Sequence, residues 1–99
     1  MNTLPIARLE ATERHVEAFK SLAHLTRLQI FFYLVRERPD VPAGGIQAAL
    51  EIAGPTLSHH LGLLRRAGLV QNRKEERFVC YSTRPEIVSE LVRVLTACC

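Results

Sequence analysis

With 99 residues, the chain can bury one hydrophobic core but not two. Hydrophobic residues make up 47% of it and charged residues 23%, and these ordinary values exclude an intrinsically disordered chain and a collagen-like repeat. The formal net charge is +3, and there is neither a signal-peptide pattern nor an apolar run of the roughly 18 residues that span a bilayer, so we expect a cytoplasmic protein with no membrane partner. An enzyme is disfavoured because so small a domain has little room for an enclosed pocket.

Apolar spacing and capping residues predict two helices in the first part of the chain. Pro5 is well placed to open the first helix, which ends before Ser21. Its apolar face consists of Ile6, Leu9, Val16 and Phe19. The second helix runs from about Leu25 to Arg36 and is closed by Pro39-Asp40. Its wide apolar stripe, which we assign to the core, consists of Leu25, Leu28, Phe31, Phe32, Leu34 and Val35.

Two further helices are separated by a tight turn. A short third helix fits Ala43 to Glu51, with an inward face formed by Ile46, Ala49 and Leu50. After a break at residues 52–54, Pro55 opens a fourth helix that continues to Ala67, and Gly68 ends it. The core-facing positions of this helix are Leu57, Leu61 and Leu64. The positions left pointing outward are Thr56, His59, Gly62, Arg65 and Arg66.

A hairpin and a last helix complete the chain. The predicted strands are Leu69 to Arg73 and Arg77 to Ser82, joined by a polar tip at residues 74–76. After Pro85 the last helix is apolar on two faces. The first face comprises Ile87, Leu91, Val94 and Leu95, and the second comprises Val88 and Val92. One face can pack on its own domain, and the other suggests a partner helix.

These elements predict a mostly α-helical single domain with a small β-hairpin. A short helix, a tight turn and a helix with a polar outer face form a helix-turn-helix over about residues 43–67. A basic hairpin over about residues 69–82 makes it the winged version, and the last helix occupies about residues 85–99. We therefore predict one winged helix-turn-helix domain over residues 1–99.

The excess positive charge lies in one segment of the chain. Residues 1–53 carry six Lys or Arg and six Asp or Glu, residues 54–84 carry six and two, and residues 85–99 carry one and two. The segment with the fourth helix and the hairpin therefore has a net charge of +4 (six minus two). Such a localised basic segment is typical of proteins that bind nucleic acid.

Three stretches carry a family pattern: residues 21–28 (SLAHLTRL), 56–61 (TLSHHL) and 64–70 (LRRAGLV). In order and spacing they resemble the ArsR/SmtB family of bacterial metalloregulatory repressors over roughly residues 18–82. The resemblance implies a homodimeric winged helix-turn-helix that binds double-stranded operator DNA and represses its own operon until a metal or metalloid binds.

The chain departs from that family pattern at several places. Many members bind metal through a Cys-x-Cys on the third helix, but residues 42–47 contain no ligand here. Zinc-sensing members use Asp and His on the last helix, and this last helix has neither. Glu51 stands where Gly is usual in the turn, and Glu75-Glu76 stand where Gly is usual at the wing tip.

The candidate DNA-binding residues lie on the fourth helix and in the hairpin. Thr56, Ser58 and His59 occupy the first turn and a half, the part of such a helix that reaches base edges in the major groove. Arg65 and Arg66 lie further along, where contact with phosphate is expected. The wing cations Arg73, Lys74 and Arg77 are expected near the minor groove or its phosphates. The remaining histidines, His15, His24 and His60, are expected to be structural, with His60 hydrogen-bonded inward.

The adjacent pair Cys98-Cys99 is the candidate sensor. Two neighbouring thiols favour soft, thiophilic ions, whereas zinc requires four ligands that the sequence does not space correctly. No permanent cofactor is expected, and the expected inducer is a trivalent arsenical (methylarsenite or arsenite) or antimonite. A methylated arsenical needs only two sulfurs, and inorganic arsenite takes three. Cys80 in the second strand is a tentative third ligand, with burial as a small apolar side chain as its alternative.

Other interpretations of the cysteines and of the domain remain open. The pair could act as a thiol redox switch or be incidental, although the negative end of the helix dipole disfavours the reactive thiolate. The domain could bind protein in place of DNA. A thiol enzyme requires an activated cysteine near a base or a helix N-terminus, and none is so placed. If the first and last helices form a homodimer, an inducer at the cysteines could release DNA by changing the spacing of the two fourth helices.

Overall fold

The computed structural model describes residues 12–37 and 40–96, which form five helices and three short strands. The helices are α1 (Glu13–Leu22), α2 (Leu25–Glu37), α3 (Ala43–Leu50), α4 (Gly54–Arg66) and α5 (Pro85–Thr96). The strands are β1 (Val41–Pro42), β2 (Val70–Glu75) and β3 (Phe78–Thr83). The order of elements confirms the predicted mostly helical fold, in which α3 and α4 form the helix-turn-helix and β2 and β3 form the wing.

The sheet has one strand more than the predicted hairpin. It is antiparallel with the order β1-β3-β2, and the unpredicted β1 pairs Val41 with Tyr81 and Pro42 with Cys80. A strand of two residues has no recognisable alternation in the sequence. Val41 and Pro42 form a strand only because they pair with β3. The predicted wing tip at residues 74–76 was wrong in register: Lys74 and Glu75 belong to β2, and the turn is Glu76-Arg77.

The hydrophobic core is built mainly from α2, α3, α4 and α5 with the residues that lead into the wing. Its fully buried side chains are Ile30, Leu34, Ile46, Leu57, Leu61, Leu64, Leu69, Val70 and Ile87. The predicted inward leucines of α4 are thereby confirmed. Gly68, with φ of +79°, ends α4 as expected, because the N–H of the next residue, Leu69, then reaches back to the Leu64 carbonyl oxygen at 3.0 Å.

The first helix is not the continuous one that was predicted from Pro5. Pro5, Ile6 and Leu9 lie outside the described residues, but the extended Thr12 caps α1 at its N-terminus. The Thr12 hydroxyl accepts the His15 N–H at 3.3 Å, and His15 Nδ1 accepts the Thr12 N–H at 3.1 Å. This reciprocal capping box starts α1 at Glu13.

Several predicted core positions of the helices are exposed. In α2, Leu25 is 70% and Phe32 60% exposed and Val35 is also exposed, whereas the fully buried Ile30 was not assigned to the stripe. The elements α1, α3, α4 and β3 cover only one side of α2, and the predicted apolar stripe is wider than that side, so its outer residues remain exposed. In α1, Val16 is exposed, and in α3, Ala49 is exposed while Ile46 is fully buried.

The last helix has the two expected apolar faces, with one residue reassigned. Ile87 and Leu91 are buried against the core. Val92 and Leu95 are exposed, so Leu95 belongs with the second face and not with the first as predicted. On a helix, Val88, Val92 and Leu95 lie within one narrow arc, which explains the reassignment.

Candidate nucleic-acid interface

The turn between α3 and α4 is held in a left-handed conformation. Glu51 has φ of 54° and ψ of 51°, and its N–H donates to the Gln47 carbonyl oxygen. The N–H of Ile52 donates to the same oxygen at 3.2 Å. This is the usual way to end a helix sharply, but a residue with a Cβ is strained there, which accounts for the Gly that the family pattern prefers.

The helix α4 divides into a buried face and a polar exposed face. Leu57, Leu61 and Leu64 anchor it to the core with at most 2% of each residue exposed. The opposite face carries five exposed candidate residues: Thr56, Ser58, His59, Arg65 and Arg66. Hydroxyls and an imidazole near the start and guanidiniums near the end can supply, in that order, contacts to base edges and to phosphates. We call α4 the recognition helix from here on.

His60 lies on the buried side of the recognition helix, as predicted. Its Nδ1 lies 3.3 Å from a terminal guanidinium nitrogen of Arg27 in α2. The His60 ring centroid is 4.9 Å from that of His24 and 5.6 Å from that of His59. Burial, then the charges of His24, Arg27 and His59, lower the pKa of His60 from its ordinary value. His60 therefore serves as a neutral structural residue behind the exposed face.

The three cationic side chains of the wing differ in whether a carboxylate pairs with them. Arg73 donates to Asp40 Oδ2 at 2.8 Å and also pairs with Glu75, so carboxylates compensate its charge. For Lys74 and Arg77, by contrast, the described residues supply no ion-pair partner. All three side chains are exposed. Lys74 and Arg77 are therefore more available to a phosphate than Arg73 is.

Cys80 is buried in the central strand of the sheet, with 7% of the residue exposed. Its cross-strand neighbours are Pro42 on β1 and Arg73 on β2. Arg73 also pairs with Asp40, the residue directly before β1. Within the described ranges no three His, Cys, Asp or Glu side chains are grouped as metal ligands. Cys80 is therefore packed within the sheet, with little of it accessible to solvent.

The candidate sensor pair, Cys98 and Cys99, lies outside the described residues. The helix that leads to it, α5, is tied to α1 by a histidine. Since His15 Nδ1 accepts the Thr12 N–H, the ring proton is on Nε2, which donates to Glu90 of α5. This hydrogen bond to His15 is the main cause that lowers the pKa of Glu90. The same two helices also carry exposed apolar side chains, namely Val16 on α1 and Val92 and Leu95 on α5.

Sequence reasoning missed the partners of these polar residues. Asp40 is 33 residues from Arg73, Arg27 is 33 residues from His60, and Glu90 is 75 residues from His15. Pairing at such separations depends on the tertiary fold and leaves no periodic signal in the chain. Arg27 does lie in the 21–28 stretch that carries the family resemblance, and this is the one hint to its importance.

A family model described as a helix-turn-helix domain matches residues 22–72. The biofilm growth-associated repressor of Agrobacterium fabrum is 36% identical over 94 residues, covering 95% of this chain and 78% of that protein. The arsenical resistance operon repressor of Escherichia coli is 34% identical over 80 residues, covering 81% and 68%. The chain belongs to the ArsR/SmtB family of winged helix-turn-helix transcription regulators. This family consists of regulators and not of enzymes.

A solved structure extends the likeness to the fold of nearly the whole chain. A homodimeric winged helix-turn-helix DNA-binding domain from Mycobacterium bovis, a possible ArsR-family regulator, has a TM-score of 0.73 and 25% identity. The match covers 98% of this chain and 88% of that one. Within this ArsR/SmtB chain, no helix of the described residues is long and apolar enough to cross a membrane.

Proposed function

We propose that this ArsR/SmtB regulator is a cytoplasmic repressor that binds double-stranded operator DNA as a homodimer and releases it when a trivalent arsenical or antimonite binds its cysteine thiols. The observation that carries the DNA-binding part is the recognition helix, whose leucine face is buried and whose opposite face is polar and exposed. Since one face is fixed by the core, the other is presented to a partner in a defined orientation.

This geometry supports a particular set of proposed DNA contacts. Thr56, Ser58 and His59 would enter the major groove and contact base edges. The phosphate contacts would come from Arg65 and Arg66 and from the wing residues Arg73, Lys74 and Arg77. The net charge of +4 over residues 54–84 supports binding to a polyanion, and it predicts that affinity falls steeply with salt.

The homodimer would form through α1 and α5. The exposed apolar residues Val16, Val92 and Leu95 support this interface, and the matched domain from Mycobacterium bovis is homodimeric. A two-fold axis there would set the distance between the two recognition helices and so the spacing of the operator half-sites.

The inducer site would consist of Cys98 and Cys99, with Cys80 as a tentative third ligand. A relative that covers most of this chain is named as an arsenical resistance operon repressor, which supports a metalloid as the signal. Two adjacent thiolates supply both bonds that methylarsenite needs and leave arsenite one bond short. Burial of Cys80 in the central strand favours a two-sulfur site.

The proposal is tested by DNA release. Fluorescence anisotropy would follow a duplex, selected from a random library with the wild-type protein, while methylarsenite, arsenite or antimonite is added. We expect methylarsenite to release DNA at a lower concentration than arsenite. Cys98→Ser and Cys99→Ser should still bind the duplex but no longer release it, and Cys80→Ser serves as the matched control with a nearly unchanged methylarsenite response.

Three outcomes contradict parts of the proposal. If Cys98→Ser releases the duplex at the inducer concentrations that suffice for the wild type, the inducer site lies elsewhere. Equal potency of methylarsenite and arsenite, with both responses lost in Cys80→Ser, indicates a three-sulfur site. Release by a thiol oxidant in metalloid-free buffer, without any response to metalloids, indicates a redox switch in place of a metalloid sensor.

A further inference from the structure

Arg27 connects three helices through its guanidinium. Arg27 belongs to α2, its Nε donates to the Ser21 carbonyl oxygen in the last turn of α1 at 2.8 Å, and a terminal nitrogen lies 3.3 Å from His60 Nδ1 in the recognition helix. A guanidinium is planar and only donates, so the directions of these two bonds are fixed relative to each other. The side chain therefore links the recognition helix to α1 and α2 through hydrogen bonds of defined direction, in addition to the packing of its leucines.

The Arg27 contact also determines the protonation state of His60. Because a guanidinium cannot accept a hydrogen bond, Nδ1 of His60 must carry the lone pair, and the single ring proton is on Nε2. A second proton would have to be added at Nδ1. It would remove the acceptor and leave two cations in contact in a site where only 8% of His60 is exposed.

We propose that Arg27 and His60 are positioning residues for DNA binding, and that only neutral His60 holds the recognition helix in its binding orientation. The inference rests on the DNA binding proposed above and adds to it a dependence on pH. As the pH falls and His60 gains a proton, the bond to Arg27 is lost. The recognition helix then loses this hydrogen-bonded link to α1 and α2 while its leucines still hold it to the core, and affinity for DNA falls because its exposed face is less precisely oriented.

The titratable and charged groups that face His60 come from three places. They are His24 in the turn between α1 and α2, Arg27 in α2, and His59 in the recognition helix itself. Among the described residues, no side chain of α1, α3 or β2, the other elements packed on this helix, is a further cause of the shift. All the neighbours lower the pKa of His60 below 6.5, so the ring stays neutral near pH 7.5 and DNA affinity is lost only as the pH falls below that ordinary value.

The direction of this pH effect separates it from ordinary charge attraction. Positive charge gained in acid near the DNA would strengthen binding through attraction to the phosphates. A positioning role for neutral His60 predicts the opposite sign. The Glu90 carboxylate, whose pKa is lowered, keeps its charge at pH 5.5, so loss of that charge is not the cause.

The experiment measures DNA affinity at pH 7.5 and 5.5 at constant ionic strength, by anisotropy with a pH-insensitive dye on the duplex selected with the wild-type protein. We expect the wild type to bind several-fold more weakly at pH 5.5. A fully protonated His60 would forfeit about tenfold, the value of one hydrogen bond to a charged group, and its lowered pKa leaves part of the protein neutral at that pH. His60→Asn, whose side-chain oxygen can replace Nδ1 as a non-titrating acceptor, should keep its affinity within twofold. His24→Gln, the matched control, should lose as much DNA affinity between pH 7.5 and 5.5 as the wild type does.

Arg27→Lys and an NMR measurement complete the test. Lysine keeps the positive charge but lacks the planar guanidinium that bonds to Ser21 and His60 together. Arg27→Lys should therefore weaken DNA binding at pH 7.5 and remove most of the dependence of DNA affinity on pH. Imidazole nitrogen chemical shifts of the wild type should show an unprotonated Nδ1 for His60 at pH 7.5. This measurement needs no variant, so it remains informative even if a variant fails to fold. An Nδ1-protonated ring, equal or tighter binding in acid, or a His60→Asn profile like that of the wild type overturns the inference. Absence of salt-dependent DNA binding at pH 7.5 contradicts the proposed function and this inference with it.

Discussion

The recognition helix and the wing are next to each other in the chain but are held by different forces. The recognition helix buries three leucines and His60, so the core determines its position. In β2 only Val70 is buried, and the rest of the strand is held by its pairing with β3 and by the exposed ion pairs of Arg73. Residues behind the recognition helix should therefore affect stability, whereas residues of the wing should affect DNA binding with little change in stability.

The largest expected effect is the loss of packing behind the recognition helix. Leu64 is fully buried, so Leu64→Ala should lower the free energy of unfolding by about 3 kcal/mol, from lost burial and from the cavity left behind. Phe78→Ala removes a larger side chain from the wing, but Phe78 is 58% exposed and the change should stay within about 0.5 kcal/mol. Urea denaturation measures both. Similar losses in the two variants would contradict the comparison.

A smaller effect is expected at the two left-handed glutamates. Glu51 in the turn before the recognition helix and Glu76 at the wing tip have φ of 54° and 56°. Glu51→Gly should raise the free energy of unfolding by about 1 kcal/mol because glycine adopts this conformation without strain. In a chain of this size that corresponds to roughly 4–8 °C in thermal melting.

Glu76→Gly is the matched comparison for the wing. If the wing is only loosely coupled to the core, its turn can relax before global unfolding, and the gain should be smaller than for Glu51→Gly. A larger gain at the wing would show that the wing is part of the cooperative unit.

The smallest effect on stability is expected at the ion pair of Arg73, the cross-strand neighbour of Cys80. Arg73→Ala should change the free energy of unfolding by less than about 0.5 kcal/mol, since the Arg73 side chain is 61% exposed. It should nevertheless uncover Cys80 and increase its reaction rate with a thiol reagent, measured with Cys98 and Cys99 both replaced by Ser. An unchanged rate would show that Pro42 and the sheet alone protect the thiol.

The sequence predicts the regular parts of this protein well and its irregular contacts poorly. The spacing of Leu57, Leu61 and Leu64 was sufficient to orient the recognition helix, because helical periodicity is a local property. The two-residue β1, the capping box at Thr12 and the wing turn at Glu76-Arg77 depend on pairing or on backbone geometry that residue types do not encode alone.

The candidate site shows the same division. Which side chains of the recognition helix and the wing are exposed followed from the pattern of the sequence. That Asp40 and Glu75 compensate Arg73, and that Arg27 fixes His60, did not follow, because the partners come from distant segments. The cysteine pair remains a prediction from composition and position.

The central claim is that the recognition helix reads sequence while the wing contributes charge. It is tested most directly by measuring the affinity of His59→Ala and Arg77→Ala for the selected duplex and for a scrambled one over a range of salt concentrations. His59→Ala should lose about 1–3 kcal/mol on the selected duplex and much less on the scrambled one. Arg77→Ala should weaken both equally and reduce the salt slope by about one. Equal losses of His59→Ala on the two duplexes, with an unchanged salt slope for Arg77→Ala, would contradict the account.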